Sequence, residues 1–404
     1  MDSLTRFNPA TPNVMHIDLN SCFASVEQQA NHLLRGKPVA VAAYAKEYGC
    51  ILAPSVEAKL WGVKTGMSVR EGRELCPCLI VREADPPKYR QIHAQFKTLL
   101  DEYSDHVISK SIDEFCLTVP TKTELVGKEI RSRIKSEIGD WLRVSIGVST
   151  NQILAKLASG LHKPEGFDII DTTNYQDIYQ GVVLQDFCGI NRRNEARLHR
   201  VGIFTATQFY EASIQTLKSA FESILGRYWY TRLRGYELDD ILFQRRSYGQ
   251  SYVLPRPMEM TAWRPILAKL IAKAARRLRE GGAQATGIGL ALNFGDHTSW
   301  HITHQGDTAI YDDASLLTGA LTLYNHAVGA GLAPARKPVK KVAVTCFGLI
   351  QDSGQLSCLV DIAKQKALVA SLDTLNDKWG EYSVTYGSFL GSNGHVKDAI
   401  AFGR

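Results

Sequence analysis

The sequence predicts an α+β protein of several domains, and three observations predict it. At 404 residues the chain exceeds what a single hydrophobic core supports, so two to four domains are expected. Short apolar runs of strand character at 14–17, 39–41, 107–109 and 144–148 alternate irregularly with amphipathic helical stretches. Between about 248 and 350 the order is strand, helix, strand, strand, helix, strand, which predicts one sheet with its helices on a single face.

In chain order, the strand at 14–17 runs into a helix at about 22–32, and Gly36-Lys37-Pro38 turns the chain into the strand 39–41. Residues 45–85 read as a short, helix-rich insertion. Its helix 56–61 is stopped by Gly62, a second turn follows at Gly66, and Pro77, Pro86 and Pro87 punctuate its exit. Ile92, Phe96, Leu99 and Leu100 share one face of a helix over 89–103. A strand pair follows, then a helix at 123–138, the strand 144–148 and a helix over 151–161.

A second unit, 174–240, is centred on Phe187-Cys188-Gly189-Ile190-Asn191 followed by a helix over 193–201. That is the shape of a helix-hairpin-helix, whose tight turn offers backbone N–H groups to phosphate. Gly189 takes the first hairpin position; Asn191 stands where a second glycine is usual and can still enter the left-handed region there. The third unit has strands at 250–254, 287–294, 299–304 and 339–347 and helices at 263–280 and 313–332. Lys269, Lys273, Arg276, Arg277 and Arg279 make its first helix basic, and the expectation is a solvated outer face. The tail 351–404 holds a helix at about 361–378 and then turns glycine-rich.

Composition narrows the class. The chain is 45% apolar and 22% charged, as ordinary globular proteins are, and its net charge of +6 permits nucleic acid as a partner without requiring it. The eight cysteines are scattered, with Cys76 and Cys78 the one close pair and no zinc-type spacing, so they are expected reduced. Residues 1–13 have no signal-peptide pattern, and no apolar run reaches the roughly 18 residues of a membrane span. A cytoplasmic protein without a membrane partner is expected.

The chemistry concentrates in two acidic segments, His16-Ile17-Asp18-Leu19-Asn20 and Ser111-Ile112-Asp113-Glu114-Phe115. Each places carboxylates at an apolar strand, where an unpaired charge is costly to bury. A divalent cation would reconcile three such acids, since Mg²⁺ takes one or two carboxylates and completes its shell with water and phosphate oxygens. Either segment by itself reads equally well as solvent-facing acids at a strand end.

The run Asp18-Leu19-Asn20-Ser21-Cys22-Phe23-Ala24-Ser25-Val26-Glu27 resembles the first motif of the Y-family translesion DNA polymerases of the DinB/UmuC type. Four more stretches agree in order and spacing. They are Leu34-Arg35-Gly36-Lys37-Pro38-Val39; Glu57-Ala58-Lys59-Leu60-Trp61-Gly62-Val63-Lys64-Thr65-Gly66-Met67; Ser111-Ile112-Asp113-Glu114; and Ser145-Ile146-Gly147-Val148-Ser149 continuing through Leu154-Ala155-Lys156 to Lys163-Pro164-Glu165-Gly166. The likeness covers roughly 12–350. It implies a right-hand polymerase with a ferredoxin-like palm (12–30 and 86–173), small fingers (31–85), a helix-hairpin-helix thumb (174–240), a β-α-β-β-α-β little finger (250–350) and a C-terminal tail (351–404).

The resemblance implies that Asp18, Asp113 and Glu114, with the backbone carbonyl of Leu19, hold two Mg²⁺, Glu114 lying nearest the primer 3′-hydroxyl. It implies a triphosphate at the N–H groups of Ser21, Cys22 and Phe23 and at Lys163, and a ribose-excluding steric gate at Phe23. From the residues alone, Phe23 reads as a core aromatic and Lys163 as a solvated lysine. Two departures stand out. Val56 and Lys59 replace a tyrosine and an arginine that grip the triphosphate in the commoner form, so a bidentate fork becomes a point charge. Asn20 replaces the second acid of the first motif, which removes it as a ligand. Both changes are similar to the UmuC branch.

Primer–template DNA is expected to meet Gly189, Asn191, Arg192 and Arg193 on the thumb. On the little finger it is expected to meet Arg245, Arg246, Ser247, Arg336, Lys337, Lys340 and Lys341, through phosphates and so without sequence preference. Deoxynucleoside triphosphates are the implied substrates; a sliding clamp and a UmuD-like accessory subunit are further implied partners. No convincing clamp peptide is legible in the last residues, 398–404. The expected activity is low-fidelity, template-directed synthesis past damaged bases. The alternatives are another palm enzyme, such as a nucleotide cyclase, and a catalytically weak DNA-binding recruitment subunit.

Overall fold

The computed structural model describes residues 6–238, 245–296, 298–334, 337–351, 362–380, 382–389 and 396. They form two compact units that divide between residues 238 and 245.

The first unit begins with β1 (Val14–Leu19), α1 (Cys22–Ala30), β2 (Val39–Ala42), β3 (Ile51–Pro54), α2 (Val56–Leu60), α3 (Val69–Leu75) and β4 (Ile80–Glu83). It continues through α4 (Pro86–Asp101), β5 (Val107–Ser109), β6 (Glu114–Thr118), α5 (Thr123–Arg133), β7 (Val144–Ser149), α6 (Gln152–Leu161) and β8 (Phe167–Ile169). Five helices close it: α7 (Tyr175–Gly181), α8 (Arg192–Arg200), α9 (Ala206–Glu211), α10 (Ile214–Phe221) and α11 (Leu225–Leu233).

A five-stranded sheet in the order β5-β6-β1-β7-β8 centres on β1, which pairs antiparallel with β6 and β7. Side chains alternate across a strand. Met15, Ile17 and Leu19 therefore enter the core with Phe115 and Leu117 of β6, Ala24 and Val26 of α1, and Phe96 and Leu100 of α4. Val14, His16 and Asp18 are left on the opposite face, beneath α6. Register extends that face sideways, because Asp18 stands opposite Glu114 on one side and Ser145 on the other. Gly147 lets α6 approach: a Cβ there would lie 2.1 Å from both the Ala155 carbonyl oxygen and the Ser159 nitrogen. The smaller sheet, β3-β2-β4, packs Ala40, Ala42 and Ile51 against Ala58, Val63 and Val69.

The helices α7–α11 share an aromatic core of Tyr179, Phe187, Phe209 and Trp229. At the hairpin Gly189 has φ +106°, whereas Asn191 does not use the left-handed region open to it. It is extended (φ −97°) and caps α8, its side-chain oxygen accepting from the backbone N–H groups of Arg193 and Asn194 at 3.1 and 3.2 Å. An asparagine preceding a helix satisfies two of its orphan donors this way, and that outweighs the left-handed alternative.

The second unit contains β9 (Ser247–Met258), α12 (Met260–Glu280), β10 (Ala283–Phe294), β11 (Ser299–Ile310), α13 (Asp313–Gly329), β12 (Val339–Gln351) and α14 (Ile362–Trp379). The antiparallel sheet runs β11-β10-β12-β9, with Trp263, Ile266 and Leu270 of α12 and Leu316 and Tyr324 of α13 packed on its core side. The strands outrun their apolar stretches because β10 and β12 stay paired from Ala283–Gln351 to Phe294–Val339.

The basic face of α12, expected to be solvated, is covered. Arg279 binds Asp373 of α14 at 2.7 and 2.9 Å and Asp313 at 2.8 Å. Arg276 pairs with Asp377 and with Glu280, and the Lys269 ammonium lies 4.4 Å from the Tyr382 ring centroid. Asp373 and Asp377 are one helical turn apart, the spacing that matches two arginines on a facing helix.

Candidate active site

Asp18 is the penultimate residue of β1, Glu114 begins β6 directly opposite it, and Asp113 sits in the turn before Glu114 with its carbonyl accepting from Leu19 N–H at 2.9 Å. The fold thus converges two segments about ninety-five residues apart onto one edge of the central strand. Burial raises the Asp113 pKa above the usual carboxylate range; the Ser111 hydroxyl, which donates to Asp113, opposes this, and the neighbouring charge of Asp18 adds to it.

Two lysines occupy the same neighbourhood. Lys163 Nζ donates to Asp18 Oδ2 at 2.8 Å. Lys156, from α6, donates to both oxygens of Glu114 at 2.7 and 2.6 Å. Burial lowers the pKa of Lys156, and its hydrogen bond and charge interaction with Glu114 more than reverse that, leaving it raised. Glu114 is therefore turned toward α6, and among the described residues no three acids, histidines or cysteines form a ready-made metal cage. The donor set still suits a hard divalent cation, which needs one or two carboxylates and fills its other positions with water and phosphate oxygens. Asp18 and Asp113 could supply those two, and their mutual repulsion is what a cation would relieve.

His16, two residues before Asp18, faces the same side of the sheet. Its Nδ1 lies 3.1 Å from Ser159 Oγ and its Nε2 3.9 Å from Glu114 Oε2. Burial, reinforced by the charges of Lys156, Lys163 and Lys110, pushes the imidazole down to about 3, so it is neutral at pH 7. The unfolded chain takes up this proton near pH 6.5 and the folded chain near 3, so stability falls as pH drops through that window and is unaffected above it. In metal-free protein, His16→Gln is expected to remove about 2 kcal/mol of the stability lost between pH 7 and pH 5. Denaturant melts of both proteins at the two pH values check this.

The start of α1 has Ser21 in the left-handed region (φ 52°) followed by helical Cys22 and Phe23, so successive N–H groups turn outward at a helix start, the arrangement that receives anions. Phe23 is buried. Its ring stacks on Tyr89 of α4, centroids 4.5 Å apart at 17°, and Tyr89 donates to Glu27 at 3.0 Å. Lys88 in turn holds Glu27 at 2.9 Å. On α2, crowding by protein atoms and the charge of Lys163 lower the Lys59 pKa while Asp18 opposes them, which brings Lys59 into the same field. Val56 lies on the same helix. Asn20 is buried and accepts from Ser145 Oγ and from Glu165 N–H.

On the helical hairpin Arg192 and Arg193 are exposed at the start of α8. In the second unit Arg246 and Ser247 line a groove on the open sheet face with Gly289, Ala291, Thr303 and Thr345. Arg245 stands 4.8 Å from the Tyr248 ring centroid. Lys337 pairs with Asp296, and Lys340 donates to the Leu254 carbonyl at 3.0 Å. Arg336 and the terminal stretch 398–404 lie outside the described residues.

Four participants were not singled out from sequence. Lys156 lies within a quoted stretch, but its partner depends on where α6 crosses the sheet. His16 could have been found from its two-residue offset from Asp18, which puts both on one face of a strand. Tyr89 meets Phe23 and Glu27 only through the packing of α4 on α1.

The sequence profile of the impB/mucB/samB family matches residues 17–160, and that of the impB/mucB/samB family C-terminal domain matches 245–358. DNA polymerase IV of Pelotomaculum thermopropionicum is 31% identical over 386 residues, which span 92% of this chain and 94% of the relative. DNA polymerase IV of Moorella thermoacetica is 29% identical over 389 residues, 91% and 94% of the two chains. Among solved structures, a Y-family DNA polymerase chimera of Dbh and Dpo4 superposes with a TM-score of 0.74 at 24% identity, covering 84% of this chain and 99% of the other. The insertion ternary complex of Dbh DNA polymerase does so with a TM-score of 0.60 at 22% identity and the same coverage. No described helix is long and apolar enough to cross a membrane.

Proposed function

The chain belongs to the Y-family of DNA polymerases, of the DNA polymerase IV type, and from that premise we propose how its residues divide the work of nucleotidyl transfer. It is a DNA-directed DNA polymerase of translesion synthesis with the family's right-hand fold, and it depends on a divalent metal. In this reading 12–30 and 86–173 are the palm, 31–85 the fingers, 174–240 the thumb and 250–350 the little finger. The substrates are primer–template DNA and deoxynucleoside triphosphates, which makes the cytoplasm its place of work.

Asp18 and Asp113, with the Leu19 carbonyl and Glu114, would hold two Mg²⁺. When bound, the ions supply Lewis-acid stabilisation of the attacking and leaving oxygens. The observation that carries the reading is the register of Asp18 against Glu114, with Asp113 in the adjoining turn. The rest is done by the chain. Lys156 fixes the orientation of Glu114. Lys163, paired with Asp18 in the absence of nucleotide, is placed to exchange that partner for a triphosphate oxygen. The N–H groups of Ser21, Cys22 and Phe23 receive the triphosphate beside it, and Lys59 adds a point charge from α2. Phe23 excludes a 2′-hydroxyl.

Arg192 and Arg193, beside Gly189 and Asn191, hold DNA phosphates from the thumb; Arg245, Arg246, Ser247, Arg336 and Lys340 do so from the little finger. Val56 supplies no hydroxyl and Lys59 no fork, which is the reason to include a UmuD-like accessory subunit among the partners, with the sliding clamp as a second. The relatives matched along nearly their whole length are named polymerases, which favours an enzyme over a recruitment subunit.

The two-ion assignment is tested with Mn²⁺ as the probe, its binding followed by electron paramagnetic resonance. The protein carries dideoxy-terminated primed DNA and the matching nucleotide. The wild type is expected to bind two ions per chain at this site and Asp113→Asn one or none. A wild-type stoichiometry below two contradicts the assignment.

A further inference from the structure

We propose that Asn20 is a positioning residue for the incoming nucleotide: its side-chain oxygen fixes the loop that carries Lys163 and so sets where that ammonium stands. The inference rests on the reading of Lys163 as a triphosphate contact.

Asn20 lies just past β1, one residue beyond Leu19, and is itself held at both backbone groups. Its N–H donates to the Arg143 carbonyl at 2.8 Å, and its carbonyl accepts from Ser25 Oγ at 2.7 Å. The side-chain oxygen accepts two hydrogen bonds, from Ser145 Oγ at 3.1 Å and from the backbone N–H of Glu165 at 2.9 Å. An amide oxygen has two acceptor sites, so both are in use. That oxygen is a fixed point on the sheet to which the loop after α6 is tied.

The loop needs such a tie. Glu165 has φ +62°, a region that side-chain-bearing residues seldom occupy without support. Its carboxylate pairs with Lys135, and the next carbonyl, of Gly166, accepts from Ile146 N–H at 2.9 Å. Those contacts hold the far side of the turn. On the near side Lys163 extends to Asp18 at 2.8 Å, two residues before the Asn20 tie. Loss of the Asn20 oxygen would leave a buried hydroxyl and a backbone N–H without acceptors and loosen the turn next to Lys163. A carboxylate at this position could still accept both bonds, so the Asn20→Asp variant is the conservative control.

Single-nucleotide incorporation on primed DNA is measured for wild type, Asn20→Leu, Asn20→Asp, Lys163→Ala and the Asn20→Leu/Lys163→Ala double variant. Asn20→Ser, too short to reach Glu165, stands in if the leucine variant does not fold. Expected for Asn20→Leu is a nucleotide KM raised about tenfold with kcat within about twofold, and for the double variant no further rise beyond Lys163→Ala. Asn20→Asp is expected within about threefold of wild type in KM. Hydrogen exchange of the Glu165 amide in the nucleotide-free protein is expected to quicken at least about tenfold in Asn20→Leu or Asn20→Ser and not in Asn20→Asp. A wild-type KM or unchanged Glu165 exchange in Asn20→Leu or Asn20→Ser, with KM raised in Lys163→Ala, overturns the proposal and leaves Lys163 as a triphosphate contact. A wild-type KM in Lys163→Ala overturns that reading and the proposal together.

Discussion

Asp113→Asn is expected to slow nucleotide incorporation at least about a thousandfold while affinity for primed DNA stays within about threefold of wild type. The side chain keeps its shape and its contact with Ser111 but loses the charge that a cation would require. The stability of the metal-free protein is expected to stay level or rise. Burial and the neighbouring Asp18 charge both disfavour the ionised Asp113, with the Ser111 hydroxyl opposing them, so the acid is a burden on the unliganded fold. An acid kept where it strains the fold points to chemistry as its purpose. Single-turnover incorporation, fluorescence anisotropy with labelled primer–template, and melting in chelator measure the three quantities. A rate near wild type would remove Asp113 from the catalytic set.

The second large effect is on sugar choice. If Phe23 is the steric gate, Phe23→Ala is expected to reduce discrimination against ribonucleotides by about a hundredfold or more, equivalent to roughly 2.7 kcal/mol, because the proposed barrier is a contact with one atom of the substrate. The wild-type ring has little freedom to yield: Tyr89 backs it, Glu27 accepts from Tyr89, and Lys88 holds Glu27. Removing so large a buried ring is also expected to cost about 3 kcal/mol of stability. Phe23→Leu, which leaves less of a cavity, separates the two effects. Competing incorporation of a deoxynucleotide and the matching ribonucleotide on one template gives the ratio directly. Unchanged sugar selection in both variants would show that another side chain is the gate.

The acids were legible because the pattern around them is local. An apolar strand with Asp18 next to its end, and a strand pair joined at Asp113-Glu114, each announce their geometry within ten residues. The second unit was legible for a similar reason, since its element order permits few arrangements. What sequence left open depends on long-range packing. Lys156 reaches Glu114 because Gly147 admits α6, a contact that no periodicity encodes. The basic face of α12 resembles any solvated helix until Asp373 and Asp377, about a hundred residues later, are brought against it. The backbone region of Asn191 was left open by sequence because helix capping and left-handed turns favour the same residue type, and only the following helix distinguishes them. Asn20 read as a lost ligand; its two accepted hydrogen bonds give it a structural role instead.

The most direct test of the account is primer extension by the full chain with Mg²⁺ on paired templates, one undamaged and one bearing a lesion in the templating position. The account predicts template-directed, Mg²⁺-dependent incorporation on both, lost in Asp113→Asn at equal DNA occupancy. No extension by the wild type at saturating nucleotide and metal, with DNA demonstrably bound, would contradict it.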